Sequence, residues 1–356
     1  MTRKGPVFNF AHSGGANWRE CVERCADRLG RPGAGLGFLY FTDALVEFSG
    51  EILGVLRERT GVSDWVGTVG AGIVATGTEY QDEPAVAAMV ADLDSSSFGV
   101  FSGKIPMNKA AAHFAVVHAD PQAPDVPGLV ADMAARVASG YVVGGISSSR
   151  TRTVQVANDV VSGGLSGVAL ASQVAVATRL TQGCSPFGPR YRITACEENV
   201  IAALDGRPAL EVLLEAADEQ LIRTGRILVG LPVPGSDTGD YVVRNLVGID
   251  PRAKLFAIGE AVEPGDPIVF CRRDAAAARE DLGRMLRSLK EAAPRPRGAL
   301  YFSCVARGEH MFGSRGAELQ LLRDSLGEVP LVGFFCNGEI CHDRLYGYTG
   351  VLSVFL

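Results

Sequence analysis

331-LVGFFCNGEICHDRLYGYTG-350 gathers two cysteines, a histidine, an asparagine and a glutamate into one short, otherwise apolar stretch. At strand spacing Cys336 and Gly338 share one face and Asn337 and Glu339 the other, so one face can meet a core while the other looks into a cavity. A carboxylate among Phe334, Phe335 and Ile340 is costly unless it is partnered. Arg307, in 304-CVARGE-309 on a neighbouring predicted strand, is the expected partner. The pair reads either as an ion pair closing the C-terminal sheet or as a recognition pair. In the second case Arg307 forks a ligand carboxylate and Glu339 holds an ammonium. The stretch as a whole is expected to form a sheet-closing hairpin that lends polar groups to a cleft.

Metal chemistry fits this segment poorly. Four residues separate Cys336 from Cys341, which His342 follows, whereas covalent haem attachment uses C-x-x-C-H. Zinc held by Cys336, Cys341, His342 and either Cys304 or His310 lacks the paired short-spaced ligands of structural zinc sites. No metal site is expected.

Composition sets the wider frame. The 356 residues suit two domains, and 47% apolar with 21% charged residues is the balance of a globular protein. A formal charge of −6, with no cluster of Lys and Arg, argues against nucleic acid as a partner. The N-terminal 1-MTRKGPVFNFAHSGG-15 has no apolar core of an export signal, so a cytoplasmic protein with reduced thiols is expected. The uncharged run from Val160 to Thr178 has nearly the length of a membrane span. Its serines and glycines and the Ser172-Gln173 step read instead as a turn between two buried strands, a core hairpin.

Along the chain, strands alternate with helices and paired strands also occur. Trp18, Cys21, Val22, Cys25 and Leu29 fall on one helical face that Gly30 ends, and Asp43 is placed to cap the next helix. Gly70-Ala71-Gly72 is not a dinucleotide fingerprint, because Ile73-Val74-Ala75 continues as a strand. Beyond Pro186, Gly188 and Pro189 the chain turns to a hairpin, a helix after Pro208, and four strands over residues 226–273 expected to form an antiparallel meander. Asp274 then caps an amphipathic helix with Leu282, Met285, Leu286 and Leu289 inward. The expected fold is α+β, with two domains, 1–185 and 186–356, each a mixed or mostly antiparallel sheet flanked by helices.

Five segments in order carry a family likeness: LTQGCSPFGPRYRITACEENVIAALDGRPALEVL, DYVVRNLVGIDP, GDPIVFCRRDAAAAREDL, LYFSCVARGEHMFG, and LVGFFCNGEI with LYGYTGVLSVF. Together they resemble the FIST family, named for F-box and intracellular signal transduction proteins. The first half, through VGTVGAGIV and YVVGGISSS, is similar to the FIST N-terminal domain more loosely. The resemblance implies a sensory module that binds small molecules, with amino acids the suggested class, and some bacterial members are reported to bind haem and sense nitric oxide. It supplies no catalytic set.

The expected ligand site therefore comprises Arg307, Asn337, Gly338, Glu339 and Cys304, the glycine-rich strand ends at Gly70, Gly72, Gly144 and Gly145, and Arg244, a charge inside an apolar strand. It is expected where the two domains meet. No cofactor is expected. The haem alternative would draw its axial ligand from His118, His12 or His310, and the enzymatic alternative would use Cys184, Cys304 or Cys336 as nucleophile. No kinase, cyclase or DNA-binding segment is recognisable, so the expected partners are a small ligand and a signalling protein such as a kinase or cyclase. Neither nucleic acid nor membrane is expected, and self-association is left open.

Overall fold

The computed structural model describes residues 7–32, 35–107, 112–217, 219–224, 226–233 and 240–356. The fold is α+β. It divides into two compact units that do not follow chain order: the first takes Met1–Thr181, Leu282–Leu345 and Thr349–Leu356, and the second takes Gln182–Asp281 with Tyr346–Tyr348.

Three six-stranded sheets build the first unit. One contains Phe8–Gly14, Leu36–Thr42, Asp64–Gly70 and Ala85–Ala91, and is covered by helices Trp18–Leu29 and Ser49–Thr60. The second contains Phe114–Ala119, Tyr141–Ile146, Leu165–Leu170 and Glu339–His342, and is covered by helix Val126–Arg136. In the third, Leu331–Cys336 lies parallel to Gly298–Cys304 and antiparallel to Gly72–Ala75, and Thr349–Phe355 flanks Gly298–Cys304 on its other side. Several of these strands, such as Leu36–Thr42 and Leu331–Cys336, are buried at every position. A strand covered on both faces selects continuous rather than alternating apolar residues. The sheets meet where Tyr40 of the first, His118 of the second, and Phe302 and Phe334 of the third bring their rings together, with centroids 5.4–6.5 Å apart. Burying a phenylalanine such as Phe302 or Phe334 fully contributes about 1.5–3 kcal/mol.

The quoted C-terminal stretch is not one hairpin. Leu331–Cys336 ends in the third sheet, and Asn337-Gly338 hands the chain to Glu339–His342 in the second, where Glu339 stands opposite Gly145. The crossing is fixed by Asn337 N–H donating to the Ile146 carbonyl (3.0 Å) and Ile146 N–H to the Gly338 carbonyl (2.9 Å). Gly338 has φ 134°, outside the comfortable range of L side chains.

Likewise Ser172-Gln173 forms the expected turn, but Leu165–Leu170 joins the second sheet and Val176–Gln182 the third, so these strands are not a hairpin. Among the described residues no helix is long and apolar enough to cross a membrane. Asp43 does not cap through its carboxylate, which accepts from Arg150 N, Nε and Nη2 at 2.7–2.9 Å. Asn17 and Asp274 do cap the helices that follow them.

The second unit is a seven-stranded sheet in the order Cys184–Glu197, Pro267–Arg273, Ile227–Pro232, Tyr241–Asp250, Leu255–Ile258, Val200–Leu204, Arg207–Pro208. Three strands form the expected meander. The fourth, Pro267–Arg273, instead returns beside Ile227–Pro232. Pro186 and Pro189 lie inside the long first strand, Pro186 opposite Cys271 and Pro189 within a register shift between Phe187 and Arg190. Helix Ala209–Ala216 covers a core of Ile201, Leu213, Phe256 and Phe270.

Candidate functional site

Strand Gly298–Cys304 ends in a tight turn, with Arg307 N–H donating to the Cys304 carbonyl at 2.8 Å. Helix Ala317–Leu326 then returns Glu318 to the same place. Arg307 Nε and Nη2 donate to Glu318 Oε1 at 2.8 and 2.6 Å, Tyr301 Oη to the same oxygen at 2.6 Å, and Ser303 Oγ to Oε2 at 3.1 Å. The guanidinium lies 5.1 Å from the Phe312 ring centre. Arg307 and Glu318 are both 0% exposed. Burial opposes the Arg307 charge, but the Glu318 carboxylate more than reverses that and holds the guanidinium ionised.

The expected Arg307–Glu339 pair is therefore replaced by Arg307–Glu318. Glu339, also 0% exposed, has Oε2 accepting from Thr349 N (3.1 Å) and Oγ1 (2.8 Å), while Oε1 has no well-formed hydrogen bond. Burial pushes its carboxyl up to about 8, against the opposing pull of the Thr349 donors, the Arg307 charge and the Cys304 thiol. Cys304 and Cys336 stand opposite each other on adjacent strands, and burial drives the Cys336 thiol well above the usual range. A thiol held protonated in this way is a poor nucleophile.

The expected glycines serve close packing. A Cβ at Gly145 would overlap the Cys336 sulfur, and one at Gly144 would overlap the Val117 carbonyl. At the crossover between sheets, a Cβ on Gly70 would crowd Phe334 (3.1 Å) and one on Gly72 would crowd Phe335 (2.8 Å). Asn337 is exposed while Glu339 is buried, so the two do not share an environment. Arg244 lies in the second unit, paired with Glu260 at 2.5 Å.

His118 is 0% exposed, with Nε2 3.2 Å from Tyr40 Oη and Nδ1 without a partner. Burial lowers it to about 3, so the ring is neutral. Rings of Tyr40, Phe302 and Phe334 pack around it, an arrangement that does not fit a porphyrin. His12 binds Tyr80 Oη at 2.6 Å through Nδ1, and His310 is exposed on the short helix Glu309–Phe312. Among the described residues no three His, Cys, Asp or Glu side chains come together as a metal site would need.

A concave site of ligand size lies elsewhere in the first unit. A groove of about 440 Å³ opens where the parallel strands carrying Phe114 and Tyr141 begin, beside the segment from Ser172 to Arg179. The Phe114 and Tyr141 rings stack at 6.1 Å with planes 10° apart. Ser139 ties the two strand starts together, its hydroxyl donating to the His113 carbonyl and accepting from Tyr141 N–H. Arg179 donates Nε to Ser288 Oγ (3.1 Å) and Nη1 to the Thr178 carbonyl (2.8 Å), and it has no carboxylate partner among the described residues. None of His113, Tyr141, Ser172 and Arg179 was expected at a site. Arg179 carried the signal used for Arg244, a charge inside an apolar strand, but it read as the boundary of an uncharged run. The second unit holds a groove of about 490 Å³ along Leu246–Ile249 and Ile222.

The profile described as the FIST N domain matches residues 35–207, and that of the FIST C domain matches 209–342. An uncharacterized protein of Mycobacterium tuberculosis (strain H37Rv) is 33% identical over 358 residues, covering 90% of each chain. One of Mycobacterium bovis is 29% identical over 374 residues, covering 95% of this chain and 94% of the relative. An F-box/LRR-repeat protein of Arabidopsis thaliana is 25% identical over 194 residues, 51% of this chain and 36% of that protein.

Proposed function

The chain belongs to the FIST family, whose domains are sensory modules of signal transduction, and from that premise we propose that it senses a small organic ligand and reports to a partner protein. The proposed ligand class is amino acids and related carboxylates. The proposed partner is a signalling protein such as a kinase or cyclase.

The observation that carries this reading is the groove at Phe114, Tyr141 and Arg179. Its volume lies within the range of about 300–1,000 Å³ typical of small-molecule sites, and it combines stacked rings with a few polar groups. The buried Arg307–Glu318–Glu339 cluster supports the scaffold instead, because its guanidinium is fully engaged by protein groups. For the ligand to signal, it must prefer one arrangement of the unit over another. Thermal-shift screening of the purified chain against the amino acids and a panel of monocarboxylates and dicarboxylates tests the proposal. Saturable stabilisation by members of the panel is expected, and no stabilisation by any of them would remove it.

A further inference from the structure

The charge pattern of the same groove narrows the ligand. We infer that the groove takes a monocarboxylate with an apolar, ring-sized body in preference to a zwitterionic amino acid, with Arg179 as the carboxylate anchor; this rests on the ligand-binding reading above. An amino acid held at both ends needs a cation for its carboxylate and an acceptor of full negative charge for its ammonium. The described lining supplies the first through Arg179, but it contains no aspartate or glutamate. The absence is notable in a chain with 40 acidic and 34 basic residues.

Arg179 Nη2 has no partner among the described residues, while Nε and Nη1 are tethered, so the fork is held in place with one donor open. The Ser172 hydroxyl and the His113 ring are likewise without partners there. The body of the ligand would lie against Phe114, Tyr141, Val174 and Val176, where burying apolar area drives binding. Carrying an ammonium into that apolar part with no acid to receive it costs affinity.

Hydrocinnamate and phenylalanine differ only in the ammonium group and form the natural probe pair, with hydrocinnamyl alcohol as the uncharged control. Calorimetric titration of the full chain is expected to give tighter binding of hydrocinnamate than of phenylalanine, by about tenfold, and little binding of the alcohol. Arg179→Gln should weaken hydrocinnamate by about tenfold or more, with Arg179→Lys intermediate because it keeps the charge and loses the fork. Unchanged melting temperatures of both variants would show that the loss is local. Tighter binding of phenylalanine, or hydrocinnamate binding indifferent to Arg179→Gln, would overturn the inference while leaving a ligand-binding sensor standing. Failure of every member of the broader panel to bind would overturn both.

Discussion

Two arginines of the first unit show how far surroundings decide a side chain's role. Arg307 is wholly buried, meets Glu318 through two nitrogens and lies against a phenylalanine ring. Arg179 is partly exposed, is tethered by a hydroxyl and a carbonyl, and looks onto a groove with no acid among its described lining residues. A buried guanidinium with a carboxylate belongs to the scaffold, because separating the two would leave a charge in a low-dielectric interior. A tethered guanidinium without a carboxylate remains able to accept one from solution. The contrast separates residues that hold the three sheets together from residues that can read a ligand.

The largest expected effect falls on the buried side. Glu318→Ala leaves Arg307 charged and unpaired and should lower the unfolding free energy by about 3–5 kcal/mol, measured by denaturant melts. Survival of full stability would break the contrast.

The next is a pH effect at Glu339. Its carboxyl is raised from 4.5 to about 8, so between those values the folded chain keeps a proton that the unfolded chain has released. Stability from this group is thus fully present below pH 4.5 and is lost progressively as pH rises through about 8. Glu339→Gln cannot ionise and should flatten that slope, which melts across the same pH range would show.

A smaller loss is expected for Gly145→Ala. The added Cβ overlaps the Cys336 sulfur between two sheets, and overpacking of this kind costs about 1–3 kcal/mol. At the far end, Arg179→Gln should change stability by no more than about 0.5 kcal/mol, because it removes only two tethers at a partly exposed site. A large destabilisation there would place Arg179 with Arg307 as a scaffold residue.

Local elements were legible in the sequence because their signals are local. The apolar face from Trp18 through Leu29, with Gly30 after it, defines one helix, and Asp274 with its Leu and Met face defines another. Which strands pair was not legible. Ile73 meets Phe334 and Gly145 meets Glu339 across some two hundred residues or more of chain, and continuous apolar runs carry no mark of which sheet they join. The partner of Arg307 was hidden for a different reason. Glu318 stands in the first turn of a helix, where an acid is the ordinary choice for the helix dipole and needs no further explanation. Glu339 was correctly read as a costly acid among apolar neighbours, but its burden is met by protonation and Thr349, not by a guanidinium. The groove escaped notice because its walls come from turns before two strands and after a third, each ordinary when read alone.

Hydrogen exchange of the chain, with and without a stabilising carboxylate from the screen, tests most directly where a ligand is read. Protection should appear at the starts of the Phe114 and Tyr141 strands and along Ser172–Arg179, with residues 303–308 and 337–339 unchanged. Protection confined to those last two segments would return the binding role to the buried cluster and contradict the assignment of the groove as the sensing site.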